Sequence, residues 1–239
     1  MIKKIGFLFS FFFLFNVASA DILVIYSDAD ENATTIDSPI DRRGVDEVFA
    51  TIRNGDGTNV SHDATTAFVG AQASNTNNQF QKLSRYAFTL DTGIVPNGSA
   101  LISAIVSLWG VSKDGGLGNP NFDIVTYSGP NNTVDQADYA DFGASSFYNI
   151  AYASILTGFY NDFVLDVNGR AYTNIESITG FGIRTTWDTN NVFAGVWVGN
   201  TNGGATFYTA DQAGTVNDPK ITITYTPPLT PAKRITFMQ

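Results

Sequence analysis

From residue 22 to residue 226 the chain repeats one pattern: a short run rich in Tyr, Phe, Thr, Val and Ile, then a cluster of Gly, Asn, Asp or Ser. The runs recur about every 8–15 residues, which suits strands joined by turns and leaves no room for long amphipathic helices. Expected strands are "ILVIYS" (22–27), "VFATI" (48–52), "TAFVGA" (66–71), "YAFTLD" (86–91), "LISAIVSLW" (101–109) and "FDIVTY" (122–127). After a looser middle come "FYNIAY" (147–152), "DFVLDV" (162–167), "GFGIRTTW" (180–187), "VFAGVWV" (192–198), "ATFYTA" (205–210) and "KITITYT" (220–226). The first of these is continuously apolar, as a strand buried on both sides would be. Two segments, 134–143 and 169–177, read as single helical turns between strands. About a dozen strands without internal repeat or compositional break imply one all-β domain, an antiparallel two-sheet β-sandwich of jelly-roll type.

The expected domain spans residues 21–227. Ahead of it, "MIKKIGFLFSFFFLFNVASA" has the form of a secretory signal peptide: Lys3 and Lys4, an apolar run to Val17, then Ala18-Ser19-Ala20. After it, residues 228–239 form a Pro-containing tail that cannot extend a central strand. Removal of the leader would take the formal charge from −9 to about −11. So acidic a surface repels phosphate backbones, which argues against nucleic acid and leaves glycans, cations and surface proteins as partners. With the leader gone no membrane span is expected, and the protein is expected outside the cell or on its surface. Cysteine is absent, which excludes thiolate chemistry and zinc–sulfur sites, so the core alone must supply stability.

"RYAFTLDTGIVPNGSALISAIVSLWG" (85–110) reads as two strands joined by a Pro-containing loop. It resembles the central hairpin of DNRLRE-type domains, which are secreted jelly-roll sandwiches. "DFVLDVNGRAYTNIESITGFGIRTT" and "DPKITITYT" are similar to that family's later strand–turn–strand unit and closing strand. The motif that names the family is missing here. The resemblance implies a sandwich fold at a surface and, more weakly, carbohydrate binding.

Catalytic chemistry has little to stand on. His62 is the single histidine, no nucleophile elbow accompanies it, and the reading is that the protein is not an enzyme. A glycoside hydrolase would need two carboxylates across a cleft, yet the glutamates are only Glu31, Glu47 and Glu176, and most aspartates stand in turn sequences. Two loops offer oxygen donors to a structural calcium ion: "SDADEN", with Asp28, Asp30 and Glu31, and "NGDGTN", with Asn54, Asp56 and Asn59. Neither completes an EF-hand, and each also reads as a solvated turn. The sequons at Asn32, Asn59, Asn97 and Asn131 read as turn residues.

Glycan binding would rest on exposed aromatic rings, and Trp109 and Trp197 are the candidates. Strand parity places Ile102, Ala104, Val106 and Leu108 on one face and Leu101, Ser103, Ile105, Ser107 and Trp109 on the other. The first set is the better core, with Tyr86, Phe88 and Leu90 facing it. Trp109 then projects outward or into a second layer, and a bulge would reverse its side. Trp197 lies in a run that is apolar on both parities, whereas Trp187 sides with Phe181 and Ile183 as core. A structural component of a surface layer, appendage or virion is the alternative function.

Overall fold

A computed structural model describes residues 19–28 and 35–228. The leader up to Val17, Asp30, Glu31, Asn32 and the tail from residue 229 lie outside the described residues. Among the described residues twelve strands run in chain order: β1 (Asp21–Tyr26), β2 (Asp37–Glu47), β3 (Asn59–Val60), β4 (Thr66–Ala73), β5 (Phe80–Leu90), β6 (Ala100–Gly115), β7 (Phe122–Thr126), β8 (Tyr148–Ile150), β9 (Tyr160–Val164), β10 (Thr179–Thr185), β11 (Asn202–Tyr208) and β12 (Lys220–Thr226). Among those same described residues three short α-helices, besides three single 3-10 turns, join them: α1 (Phe49–Asn54), α2 (Val167–Tyr172) and α3 (Thr186–Thr189). Every strand pair is antiparallel, and the fold is all-β and jelly-roll-like.

The strands form two layers. Sheet I has the order β9-β6-β12-β1, while sheet II holds β2 to β5, β7, β8, β10 and β11. Strand β6 belongs to both, because Ala100–Ser107 pairs with β12 and Gly110–Gly115 pairs with β11. Between the layers lies the main core, where Ala104, Val106, Leu108, Phe163, Ile221 and Ile223 of sheet I meet Tyr86, Phe88, Leu90, Phe181, Ile183 and Phe207 of sheet II. Each such side chain taken fully from water is worth about 1.5–3 kcal/mol, so this row structure needs no disulfide. The facing rows expected from the 85–110 hairpin are present with one exception.

That exception is Ile102, which is 51% exposed. Ser103 pairs with Thr224 but Leu101 pairs with Tyr225, so the β6 register slips by one residue at Ile102. A bulge turns the extra residue to the opposite face, and Leu101 packs against the core in its place.

Sheet II is covered on its other face as well. A second cluster joins Ile40, Leu83, Ala87 and Val125 of the sheet, and Ile36 just ahead of β2, to Phe49 and Ile52 of α1 and to Tyr139, Phe142 and Trp187. Two expectations change here. "VFATI" is helical in α1, where Phe49 and Ile52, three apart, put both apolar side chains onto the sheet. "VFAGVWV" is an irregular loop whose Phe193 and Trp197 pack on this second cluster while Val192, Val196 and Val198 stay exposed. Trp187 is core, as expected, but in this second cluster, because the chain turns helical at Thr186. Strand β2 was not expected: "DSPIDRRGVDE" shows no alternation because its first five residues are buried. The first run fails the opposite test, since β1 pairs only with β12 and exposes Ile22, Val24 and Tyr26.

Candidate functional site

Among the described residues no element covers the outer face of sheet I, and cross-strand register places the side chains on it. One row runs Tyr26, Lys220, Ser107, Asp162; the next reads Val24, Thr222, Ile105, Val164; at the β9 end Trp109 stands opposite Tyr160. Trp109 is therefore on the face that parity assigned to it, half-buried, with its ring turned away from the main core. A register shift does occur near it, but beyond it, where Phe207 pairs with Gly110 and Thr206 with Ser112.

What half-buries Trp109 is another aromatic group. The Phe159 ring stacks on it at 6.5 Å between centroids and 26° between planes, and Tyr160 meets it edge-on at 5.2 Å. Phe159 is itself 63% exposed, which leaves an aromatic surface open to solvent. Offset stacks of this kind add about 0.5–1.5 kcal/mol beyond area burial.

Local sequence explains why the turn carrying Phe159 lies there. Gly110 follows Trp109, and a Cβ on it would stand 2.1 Å from the Leu156 carbonyl oxygen, so only glycine lets the turn approach this closely. The Gly158 N–H donates to the Gly110 carbonyl at 2.7 Å, and the Gly110 N–H donates to the Phe159 carbonyl at 3.0 Å. Gly158 has φ +78°, a left-handed conformation that suits the turn. The buried Asn161 amide closes it: its oxygen accepts from the Leu156 N–H at 2.7 Å, and its nitrogen donates to the Leu156 carbonyl at 3.0 Å. Tyr160 is fixed too. Its hydroxyl donates to the carbonyls of Val216 and Asp218 at 2.8 and 3.0 Å, and the Lys220 ammonium sits 3.7 Å from its ring centroid. Burial, followed by the neighbouring Tyr26 and Asp218, pushes its phenol up to about 12, so it stays a neutral donor. At the polar edge, Ser107 donates to Asp162 at 2.6 Å. The patch thus offers ring faces with hydroxyl, carboxylate and ammonium groups around them.

Trp197 is not part of this patch. Its indole N–H donates to the Gln79 carbonyl at 2.9 Å and its ring packs on the second cluster, which assigns it to holding the 192–198 loop over sheet II. Trp187 borders an open cleft of about 450 Å³ with Asn119, Asn121 and Asn190, yet at 5% exposure its ring is shielded from stacking. His62 lines an open depression with Val60, Val134, Asp135 and Gln136.

Among the calcium candidates, Asp28 accepts a hydrogen bond from the Thr35 hydroxyl at 3.0 Å, and its loop partners Asp30 and Glu31 lie outside the described residues. Asn54 accepts from Arg53 at 2.5 Å, and Asp56 is exposed with its backbone carbonyl held by Arg42 at 2.7 Å. Among the described residues no group of three or more His, Asp or Glu side chains is arranged to hold a metal ion. Glu47 is engaged by Arg42 at 2.5 and 2.8 Å. Asp37, missed in the sequence, is fully buried: it accepts from the Tyr86 hydroxyl at 2.8 Å and from the Ala210 N–H, while its Oδ1 has no hydrogen-bond partner among the described residues. Burial, with Asp211 and Asp218 nearby, pushes its carboxyl up to about 8.

Phe159 and Tyr160 also went unrecognised, although "GFY" at the head of an expected strand was the available signal. No family model and no curated protein matches the chain. The DNRLRE resemblance therefore rests on the three quoted segments alone. Among solved structures, a xylan-binding module CBM15 is similar over 85% of this chain and 97% of that chain, with 9% identity and a TM-score of 0.36. So distant a likeness carries no functional argument. Among the described residues no helix is long and apolar enough to cross a membrane.

Proposed function

We propose that the chain is an exported, non-catalytic carbohydrate-binding module that holds a neutral polysaccharide against the outer face of sheet I. The observation that carries this reading is the exposed Phe159 ring, held over Trp109 by a turn that only glycine at 110 admits. Sugar rings present apolar C–H faces that stack on such rings, while hydroxyls take the polar groups around them. An uncharged ligand also suits a chain of net charge −9. Affinity gel electrophoresis through a panel of soluble neutral polysaccharides tests it. Retardation of the wild type that is lost in Phe159→Ala supports the proposal, and unretarded migration through every polysaccharide overturns it.

One observation favours a second reading, a component of a surface layer, appendage or virion. Strand β1 leaves one edge without a strand partner among the described residues and exposes Ile22 and Val24 beside it, a surface suited to pairing with another chain. Sedimentation should then show self-association as concentration rises, whereas a strict monomer contradicts this alternative.

A further inference from the structure

On the opposite side of the molecule from the aromatic patch, three guanidinium groups converge on one carboxylate. Arg85 donates from Nε and Nη2 to Asp188 at 2.7 and 2.8 Å, and Arg184 does so at 2.7 and 2.6 Å. Arg53 brings its Nε to 3.7 Å from the same carboxylate and donates to the Asp188 backbone carbonyl at 2.8 Å. Arg85, Arg184 and Asp188 are buried, whereas the Arg53 side chain is 20% exposed. Three positive charges against one negative leave an excess of two inside a chain that is acidic overall. Carbonyls of Tyr139, Phe142, Gly143 and Arg53 accept further N–H groups of Arg85 and Arg184, which satisfies donors without supplying charge.

Beside these arginines lies a cavity of about 150 Å³, lined by Arg53, Asn54, Arg85, Phe142 and Arg184. Arg53 Nη2 makes no hydrogen bond among the described residues, and its guanidinium is held below its ordinary pKa by burial and then by the facing charge of Arg184. Buried cations are ordinarily matched by anions, and a guanidinium fork suits the paired oxygens of a carboxylate or sulfate. We infer that this cavity is an anion site that takes one oxyanion group, a sulfate or a carboxylate, with Arg53 as the arm that closes on it. Such a group can arrive as a free ion or on an acidic sugar. Because the cavity and the aromatic patch lie on different sheets, the two sites stand or fall separately.

Arginine Nε–Hε resonances report the site directly. The full chain is titrated over the millimolar range with sodium sulfate and, separately, with glucuronate, at ionic strength held constant with sodium chloride and with glucose as the uncharged control. Saturable shifts of the Arg53 and Arg85 signals, weakened about tenfold in Arg53→Gln, are expected; tenfold corresponds to about 1.4 kcal/mol. Arg53→Gln leaves the bidentate contacts of Arg85 and Arg184 with Asp188 in place, so the variant should fold. Saturation by sulfate alone assigns the site to a free ion, and saturation by glucuronate alone assigns it to an acidic sugar. Linear shifts with both anions, or equal affinity in Arg53→Gln, overturn the inference.

Discussion

Sheet I and sheet II are built from similar residues and end in opposite states. Sheet II is covered on both faces, so even its polar side chains are committed to internal partners: Arg85 and Arg184 clasp Asp188, and Tyr86 holds Asp37. Sheet I is covered on one face, and its outer side leaves Ile22, Val24, Tyr26, Ile102 and Val164 exposed around Trp109 and Phe159. Burial on both sides directs polar chemistry toward holding the fold. Burial on one side leaves aromatic surface to meet a ligand.

The largest effect should come from breaking the clasp in sheet II. Asp188 is fully buried, and although burial alone would raise its carboxyl, Arg85 and Arg184 hold it well below the usual range. Asp188→Ala strands those guanidiniums in the interior and should cost about 3–5 kcal/mol in urea unfolding. A cost under about 1 kcal/mol would show that backbone carbonyls suffice. Next come paired truncations across the two faces. Phe88→Ala opens the main core and should cost about 3–5 kcal/mol, whereas Ile102→Ala, on the bulge, should change stability by no more than about 0.5 kcal/mol. A large loss at Ile102 would return it to the core and remove the bulge from the account.

Gly110→Ala sharpens the comparison within sheet I. Its methyl group would meet the Leu156 carbonyl, so the turn must move, at about 1–3 kcal/mol and with loss of the Phe159 stack on Trp109. Polysaccharide retention should fall with it. A separate effect is pH dependence through Asp37. Its folded pKa is raised from 3.8 to about 8, so the native state keeps a proton that the unfolded chain releases. Its contribution is full below 3.8 and is lost as pH rises toward 8. Asp188, with a lowered pKa, stabilises above the ordinary carboxylate range and loses that contribution as pH falls through its folded value. The melting temperature should therefore decline from mildly acidic pH toward pH 8, and Asp37→Asn should flatten that decline. An unchanged slope in the variant would assign the proton elsewhere.

These contrasts also explain how much could be read from the sequence. Alternation in "YAFTL" and "AIVSLW" identified the facing rows and the side taken by Trp109, because strand parity is local. The same arithmetic failed at Ile102, since nothing in "ALISAI" marks where the register slips. "VFATI" and "VFAGVWV" have β-favouring compositions, but both serve to cover sheet II, and packing overrode propensity. The clasp joins Arg85 to a residue 103 positions away, a relation invisible locally, although Arg184 and Asp188 four apart hinted at half of it. The Phe159 stack depends on a close approach at Gly110, which composition cannot reveal.

The most direct measurement follows Trp109 alone. In a Trp187→Phe, Trp197→Phe background, emission comes only from the tryptophan on the bare face, and polysaccharides retained by the protein in affinity electrophoresis can be titrated against it. The account predicts a saturable change in that emission, with the same midpoint as retention, abolished by Phe159→Ala. Retention that leaves Trp109 emission unaltered would contradict it, because the ligand would then be held elsewhere.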